Sequence, residues 1–197
     1  DPSGRFVIAA DLGADRLFVY RLDAAAGRLV PHDPPAVTVT PGAGPRHFTF
    51  HPQRHWAYLI NELDNTLIAY QWDPAAGTLT PCQTLATLPP DFRGASYCAD
   101  IHVHPSGRFL YGTNRGHDSL AVFAVDPDCG RLTPRGHVPT GGEHPRNFAL
   151  SPDGRWLLVA NQDSDNIVTF ALSEAGGRLT PVGAPCGLPA PTCLQFA

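Results

Sequence analysis

Short apolar segments alternate along the whole chain with clusters of glycine, proline, asparagine and aspartate. The segments 6–10 and 17–20 are typical: both are rich in valine, leucine, alanine and aromatic residues, and the polar residues 11–15 separate them. Segments of this length between turn-forming residues indicate β-strands, and no part of the chain keeps the spacing of an amphipathic helix. The pattern therefore predicts an all-β protein.

The same pattern returns at a regular interval. Similar five-residue sequences begin at Asp1, His51, His104 and Ser151, each with proline in its second place. Ten, twenty-six and thirty residues further on, every copy carries in turn an aspartate or asparagine, a glycine and a proline. These residues are Asp11, Asn61, Asn114 and Asn161, then Gly27, Gly77, Gly130 and Gly177, then Pro31, Pro81, Pro134 and Pro181. The chain thus divides into the units 1–50, 51–103, 104–150 and 151–197, and a repeat of about fifty residues indicates a modular fold.

Four strands are predicted for each blade. For the second blade they cover about 46–51, 56–62, 66–72 and 79–87. The Pro-Ser-Gly and Pro-Asp-Gly sequences fit tight hairpin turns, and clusters such as 174–177 supply a glycine that tolerates positive φ. Four-stranded antiparallel sheets repeated at this interval are the blades of a β-propeller. We predict one propeller domain over 1–197, with about four blades present.

Composition narrows the class of partner. The net charge is -4 and no basic cluster occurs, which argues against nucleic acid, and neither a signal peptide nor an apolar segment of membrane-spanning length is visible. The five cysteines include no C-x-x-C pair, so we expect neither a disulfide framework nor a zinc knuckle. We predict a cytoplasmic protein that binds neither nucleic acid nor membranes.

Comparison of the repeats with one another locates a candidate site. Positions identical in every unit are structural, whereas polar positions that differ between units are free to take part in function. One such set follows the repeated Asp/Asn, and a second lies where each inner strand begins. They are Leu12, Glu62, Arg115 and Gln162, and Arg46-His47, Ala99-Asp100 and Arg146-Asn147. Antiparallel pairing places both sets at one rim, where the inner strands line the central channel of a propeller.

The predicted channel mouth contains three arginines, Arg46, Arg115 and Arg146, and these suit an anionic ligand because guanidinium pairs bidentately with carboxylate or phosphate. Glu62 and His47 are the candidate bases. An alternative stays open, in which the arginines and the glutamate form a salt-bridge network that ties the blades together. Histidines and an aspartate complete the set: His102, His117 and Asp100.

The histidine spacing does not predict a metal site. His102 and His104 are two residues apart, so their side chains are not expected to share an ion across a strand. No phosphate-binding loop, dinucleotide fingerprint or nucleophile elbow occurs either. We therefore predict a site built from side chains alone, without metal or organic cofactor.

The two ends of the chain carry a further expectation. The first residue already lies in a predicted hairpin turn and the chain contains no methionine. The last residues, 191–197, have the position of an inner strand that opens a further blade. Because exposed sheet edges invite pairing with another chain, we expect either self-association through these edges or membership of a longer polypeptide.

Several motifs occur in a characteristic order. They are Gly44-Pro45-Arg46-His47-Phe48-Thr49-Phe50-His51-Pro52, Asn61-Glu62, Phe109-Leu110-Tyr111-Gly112-Thr113-Asn114-Arg115-Gly116-His117-Asp118-Ser119 and His144-Pro145-Arg146-Asn147-Phe148. Together they resemble the lactonase family of seven-bladed propellers, which includes 6-phosphogluconolactonases of the cycloisomerase type and carboxymuconate lactonising enzymes. The resemblance covers the whole chain and implies the C-terminal four blades of a probable seven.

The resemblance implies a cleft at the channel mouth in which a paired arginine and glutamate work with a further arginine. The leading hypothesis is hydrolysis of a small anionic sugar lactone such as 6-phosphogluconolactone. The expected catalytic residues are Glu62, His47, Arg46 and Arg115, and the expected substrate-binding residues are Arg146, His102, Asn61, Asn114 and His117. Cycloisomerisation of a muconate and a non-catalytic binding scaffold are the alternatives.

Overall fold

The computed structural model describes residues 1–173 and 177–196, and these residues form strands and turns without a helix. The turn predicted over 174–177 lies almost wholly outside the described residues. In chain order the strands are β1 (Phe6–Asp11), β2 (Arg16–Asp23), β3 (Arg28–Thr38), β4 (Pro45–Phe50), β5 (Trp56–Asn61), β6 (Thr66–Asp73), β7 (Thr78–Ala86), β8 (Tyr97–Val103), β9 (Phe109–Arg115), β10 (Ser119–Val125), β11 (Leu132–Pro139), β12 (Pro145–Leu150), β13 (Trp156–Asn161), β14 (Asn166–Leu172), β15 (Leu179–Pro181) and β16 (Cys186–Gly187).

The strands form four antiparallel sheets, which confirms the predicted blades. Strands β4 to β7 and β8 to β11 make two four-stranded sheets, and β12 to β15 make another in which β16 also pairs with β14. The first sheet has three strands, β1 to β3, which agrees with the expectation that the first residue already lies in a hairpin turn. The last strand of each sequence unit, such as β4, opens the next sheet, so the repeat is offset from the blade by one strand.

Neighbouring sheets pack face to face, and the middle strands bury both of their faces. Tyr58 and Ile60 of β5 join the core towards the third sheet, whereas Ala57 and Leu59 join the core towards the first. Side chains alternate along a strand, so a strand with two buried faces needs apolar residues at every position. This explains the continuous apolar segments in the middle of each unit.

The repeated glycine makes room for an aromatic side chain of the preceding sheet. Phe6 packs on Gly77, and Trp56 packs on Gly130 in the same way. Gly130 has a φ of +70°, and a Cβ built there would lie 2.3 Å from the indole of Trp56. Backbone conformation and close approach both require glycine at this position of the repeat.

The first residue of the repeat joins consecutive sheets by a hydrogen bond. The Nε2–H of His51 donates to the carbonyl oxygen of Gly107 at 3.0 Å, and that of His104 donates to Gly154 at 2.8 Å. Both bonds connect the first hairpin turn of one sheet to the equivalent turn of the next. These two histidines are therefore structural.

A left-handed aspartate or asparagine anchors the connection to the next inner strand. One such residue with positive φ lies in the turn after β1, β5, β9 and β13: Asp15, Asn65, Asp118 and Asp165. Their side chains bond to backbone atoms just before the next inner strand begins. The pairs are Asp15 with Gly44, Asn65 with Ser96, Asp118 with His144 and Asp165 with Ala190. These bonds hold the segments that carry the candidate site, because the site residues start the inner strands.

At each end of the row of four sheets, only one partner of the aromatic–glycine contact between sheets is present. Trp156, the counterpart of Phe6 and Trp56, is 38% exposed, and a Cβ added to Gly27 would meet no atom within 4 Å. Residues 191–196 lie beside β12 without forming a strand, and the backbone N–H of Leu194 donates to Asn147 Oδ1 at 2.6 Å.

Replacing Gly130 by alanine should destabilise the fold more than the same change at Gly27. Both glycines have positive φ, +70° and +61°, so both variants carry the backbone cost, of about 1–2 kcal/mol. Only at Gly130 does the added methyl meet a packed indole, that of Trp56. Urea unfolding of both variants measures the difference, and equal losses would contradict a role for the aromatic contact.

Candidate active site

A β-bulge begins each of the three complete inner strands. In β4 the ladder jumps from Pro45 to His47, which leaves Arg46 as the extra residue, and in β12 the equivalent extra residue is Arg146. In β8 the jump falls between Cys98 and Ile101. A bulge turns a side chain away from the regular alternation of a strand. The candidate residues thus lie at the one irregular position of each inner strand.

Glu62 joins two arginines from neighbouring sheets. Its Oε2 accepts from Arg46 Nε at 2.9 Å, and its Oε1 accepts from a terminal nitrogen of Arg115 at 2.6 Å. The side chains of all three residues are at least four-fifths buried. Because these ion pairs are largely shielded from water, they hold their geometry better than ion pairs on the surface do. The structure therefore brings Arg46, Glu62 and Arg115 together as one cluster.

Backbone carbonyl groups of β8 complete the cluster. The guanidinium of Arg46 also donates to the carbonyl oxygen of Ala99, and Arg115 donates to those of Cys98 and Tyr97 at 2.9 and 3.3 Å. Each guanidinium is therefore held by the inner strand of the third sheet as well as by Glu62. The planes of both arginines are fixed before any ligand arrives.

The charges of the cluster leave a positive excess. Burial lowers the pKa of Arg46, and the positive charges of Arg115 and Arg146 lower it further against the opposing effect of Glu62. Asp100 is the other carboxylate that acts on this guanidinium. Three guanidiniums against two carboxylates leave one uncompensated positive charge, which favours an anionic ligand.

Asp100 is a buried carboxylate that joins three inner strands. Its side chain is 2% exposed and accepts from His47 Nδ1 at 2.7 Å and from His102 Nε2 at 3.2 Å. From β12 it accepts the side-chain amide of Asn147 at 2.6 Å and the backbone N–H of Phe148 at 3.1 Å. Strands β4, β8 and β12 are therefore connected through one side chain.

These donors keep the carboxylate ionised. Burial by itself raises the pKa of Asp100, but the hydrogen bonds that His102 and His47 donate outweigh burial. The net result is a pKa well below the usual range of an aspartate. A buried carboxylate with several donors can be more acidic than one in water.

The two histidines open onto a cavity beside the arginine cluster. The cavity has a volume of about 300 Å³, and its lining includes Ile8, Ala10, Arg46, His47 and His102. The side chains of His47 and His102 are 43% and 41% exposed, whereas Asp100 behind them is almost fully covered. The cavity therefore presents two imidazoles and a guanidinium to a ligand.

Two predicted substrate-binding residues do not reach this surface. Asn61 and Asn114 are fully buried. The amide of Asn61 donates to Thr66 Oγ1 at 2.9 Å, and that of Asn114 donates to the carbonyl oxygen of Thr87 at 3.0 Å. One amide bonds to the first residue of β6 and the other to the residue after β7, because a repeated Asp/Asn at a strand end is suited to holding a neighbouring turn. The structure thus places them in a structural position.

His117 lies apart from the Asp100 group, which consists of Asp100 and the side chains of His47, His102 and Asn147 that bond to it. Its Nδ1 is 2.6 Å from Ser119 Oγ, and its ring packs edge-on against Phe92 and His137. Burial and the neighbouring His137 lower the pKa of His117. Arg146 remains near enough to influence the charge on Arg46, and among the described residues no hydrogen bond or ion pair engages its guanidinium.

The part played by Asp100 and Asn147 is not evident from the repeat comparison. That comparison places both at the predicted mouth without a role for either, since an aspartate in a strand gives no sign of how deeply it is buried. One signal in the sequence could have indicated the role of Asp100. His47 occupies the equivalent inner-strand position and His102 lies two residues further along the same strand, so an aspartate is placed close to two histidines.

Two further features bear on the class of site. Within residues 1–173 and 177–196, no group of three or more His, Cys, Asp and Glu side chains is arranged to hold a metal ion. Over the same residues no helix has the length and apolar character needed to cross a membrane.

Antiparallel sheets in series, with bulged inner strands that converge on a polar cavity beside an arginine cluster, define a β-propeller with a site where its inner strands begin. The family model described as lactonase, 7-bladed β-propeller, matches residues 1–196. The chain belongs to this family.

Curated relatives of the chain include enzymes from several bacteria. The 6-phosphogluconolactonase of Pectobacterium carotovorum is 43% identical over 150 residues, which are 76% of this chain and 45% of the relative. The 6-phosphogluconolactonase of Bacillus subtilis is 41% identical over 150 residues, or 42% of its own length. The chain spans less than half the length of these relatives in the matched region.

Solved structures agree with this assignment. A periplasmic gluconolactonase of Pseudomonas aeruginosa superposes with a TM-score of 0.92 at 38% identity, over 99% of this chain and 54% of that one. A putative 6-phosphogluconolactonase of Bacteroides fragilis gives a TM-score of 0.90 at 37% identity, over 100% and 55% of the two chains. The sheets of this chain are thus arranged as in propellers about twice its length.

Acid should destabilise the protein through Asp100. The pKa of this carboxyl lies below the unfolded value of about 3.9, so its contribution to stability is complete above that pH and is lost as the pH falls. One such group changes the free energy of unfolding by up to about 1.4 kcal/mol per pH unit. Urea unfolding between pH 5 and pH 3 should therefore give a shallower pH dependence for Asp100→Asn than for the wild type.

The exposed Asp128 supplies a control for this measurement. Asp128→Asn should keep the wild-type slope, since that side chain lies in the turn between β10 and β11 and is exposed. An unchanged slope in Asp100→Asn would show that the buried carboxylate is not the group that couples stability to acid.

Proposed function

We propose that the propeller containing this chain hydrolyses a sugar lactone, most specifically 6-phosphogluconolactone, at the cavity between β4 and β8. The observation that carries the proposal is the cluster in which Glu62 holds Arg46 and Arg115 beside two imidazoles. The names of the relatives support the same reaction class. The activity belongs to the whole propeller, of which this chain covers about half by comparison with its structural neighbours.

The arginines supply the electrostatic part of the reaction. Attack of water on the lactone carbonyl produces a negative charge on its oxygen, and fixed donors aimed at that oxygen stabilise the transition state. Arg46 and Arg115 are the fixed donors. Arg146, whose guanidinium has no partner among the described residues, is placed to bind the phosphate or another anionic group of the substrate.

Glu62 takes the role of an orienting residue in this proposal. Both of its oxygens accept from guanidinium nitrogens, so it could receive a proton from water only after one of those ion pairs opens. Its ion pairs instead fix the directions of Arg46 and Arg115. A lactone is already an activated ester, and the proposed reaction uses neither a metal nor an organic cofactor.

Two alternatives use the same residues differently. A muconate-lactonising cycloisomerase would bind a carboxylate at the arginines and move a proton to or from the adjacent carbon. A propeller scaffold would bind a protein partner across its face, since fold alone does not decide function. The burial of the ion-paired cluster and its position beside a small cavity favour a small substrate over a protein partner.

Lactone turnover tests the proposal. The rate of 6-phosphogluconolactone hydrolysis above background would be measured for this chain and for a seven-bladed polypeptide that contains it. In the active form Glu62→Gln should lower kcat by about 100-fold, because misplacing two catalytic arginines by about 1 Å has that effect. The exposed Glu143→Gln is the matched control and should retain activity.

The comparison of substrates separates the alternatives. Phosphorylated lactone should react faster than unphosphorylated gluconolactone, and Arg146→Gln should remove that preference. Turnover of a muconate in place of any lactone would favour the cycloisomerase, and absence of turnover with every substrate in the seven-bladed form would favour the scaffold.

Location and assembly remain expectations of the sequence. A cytoplasmic location stays a prediction, and one structural neighbour is by its name periplasmic. As the alternative to membership of a longer polypeptide, we propose that this chain by itself associates head to tail, with Trp156 of one copy packed on Gly27 of the next, because each is the unfilled half of the contact seen between Trp56 and Gly130.

Light scattering of purified chain tests the assembly. A dimer or larger species is expected, and Trp156→Ala should shift it towards the monomer by removing the aromatic half of the contact. Val182→Ala, which shortens another exposed apolar side chain of the fourth sheet, should leave the mass unchanged. A monomeric wild type would end this proposal.

A further inference from the structure

The Asp100 group has features that a purely structural carboxylate does not need. An ionised side chain is costly to bury unless donors satisfy it, and here Asn147, the backbone of Phe148 and the backbone of Ile101 already donate at 2.6, 3.1 and 2.9 Å. Two imidazoles are added to these donors. Both are more than two-fifths exposed to the cavity while the carboxylate itself is covered.

The carboxylate determines which ring nitrogen of each histidine carries a proton. An ionised carboxylate only accepts hydrogen bonds, so the ring nitrogen that faces it must be an N–H. This assigns the proton to Nδ1 of His47 and to Nε2 of His102. The ring nitrogens that do not face the carboxylate, the left-over nitrogens, are Nε2 of His47 and Nδ1 of His102. They differ because His47 turns its Nδ1 towards Asp100, whereas His102 turns its Nε2 towards it.

The surroundings of the left-over nitrogens also differ. Nε2 of His47 lies 3.2 Å from a guanidinium nitrogen of Arg46, which can only donate, so this Nε2 is an acceptor and His47 is neutral. Among the described residues, Nδ1 of His102 has no such cationic neighbour within hydrogen-bond distance. Of the two rings, His102 is therefore the better placed to carry the positive charge opposite Asp100.

We propose that Asp100 is a positioning residue that holds His47 as a neutral base and His102 as an acid for lactone hydrolysis. The inference rests on the proposed function. It extends that function by assigning the two proton transfers to two histidines that share one carboxylate, a role that the repeat comparison gave to Glu62 or His47 alone.

The proposed steps balance. Water first replaces the Arg46 nitrogen at Nε2 of His47, a contact of 3.2 Å that is longer than either ion pair of Glu62. This water attacks the lactone carbonyl carbon while its proton moves to that Nε2, and Arg46 and Arg115 stabilise the resulting oxyanion. The bond between that carbon and the ring oxygen then breaks, and the ring oxygen takes the proton from Nδ1 of His102. The product is a hydroxy acid, whose carboxyl proton passes to solvent, and the exposed imidazoles return to their first protonation states by exchange with water.

The charges around the pair favour one protonated imidazole and oppose two. Asp100 supplies one negative charge to both rings. Arg46 lines the same cavity as both rings, and Arg115, Arg146 and Glu62 are the charged groups that act on Arg46. Two interacting groups of this kind take up protons in two separate steps that belong to the pair.

Nitrogen-15 NMR of the histidine side chains tests the positioning role without any need for turnover. At neutral pH the spectrum should show His47 as the Nδ1–H tautomer and His102 protonated on Nε2, with two separated proton-uptake steps. In Asp100→Asn the tautomers should mix, because an amide can donate to a ring nitrogen as well as accept from one. The signal of exposed His55 is the internal reference, and Asp128→Asn is the control variant.

A second variant keeps the test decisive if Asp100→Asn does not fold. His102→Gln retains the carboxylate and removes one imidazole, so His47 should keep its Nδ1–H tautomer. An Nε2–H tautomer of His47, or histidine titrations unaffected in every variant, overturns the proposal.

Kinetics test the acid–base role in the form of the protein that turns over lactone. Asp100→Asn should lower kcat about 100-fold, the usual scale of general acid–base catalysis, with KM changed by no more than about threefold because the arginines that bind the anion remain. The pH–rate profile should also lose the limbs that coincide with the NMR titrations.

A merely structural Asp100 would lower thermal stability and leave the pH–rate profile of the remaining activity unchanged, and that result would overturn the acid–base role. Absence of lactone turnover in every form would refute the proposed function and with it this role. The tautomers measured by NMR would then still decide whether Asp100 positions the two histidines, so the two failures are distinguishable.

Discussion

The buried carboxylate of Asp100 is the interaction on which the geometry of the candidate site depends. It has to be surrounded by donors, because an ionised group excluded from water is otherwise strongly destabilising. The donors come from β4, β8 and β12, so satisfying one charge brings three inner strands into a single arrangement. The cavity, the two histidines and the neighbouring arginine cluster all lie around this point.

The repeated residues and the functional residues have separate tasks. The glycine, the first residue of the repeat and the left-handed Asp/Asn make contacts between consecutive sheets, and the equivalent contacts recur down the chain. They are repeated because each sheet meets the next in the same way. The bulged position of each inner strand is free of that requirement, and it holds Arg46, Arg146 and the Ala99-Asp100 pair.

Much of the fold could be predicted because its signals are local. Apolar alternation and turn residues place the four strands of the second blade within one residue of their observed bounds. The division of the outer strand of the fourth sheet into β15 and β16 could not be predicted in this way. Strand pairing depends on which partner is present, and a strand pattern does not contain that information.

The candidate site could be predicted less completely. Comparing unlike positions of the repeat correctly brings Arg46, Glu62 and Arg115 together, because the antiparallel hairpin places the end of one strand beside the start of its neighbour. The expected substrate-binding residues also included Asn61 and Asn114, which are buried inside the fold, and His117, which packs with Phe92. The register of the paired strands determines which residues lie at the rim, whereas the direction of each side chain depends on the turn that surrounds it.

The sequence by itself determined the all-β class, the repeat and the strands of a blade, since these follow from periodicity. It also determined that arginine, glutamate and histidine side chains lie at one rim, since this follows from equivalent positions of the repeat. Only the tertiary structure decided which carboxylate holds which partner. Glu62 is bound by two guanidiniums and Asp100 by two imidazoles because the bulges turn Arg46 and Asp100 in different directions, and those directions arise when neighbouring sheets pack together.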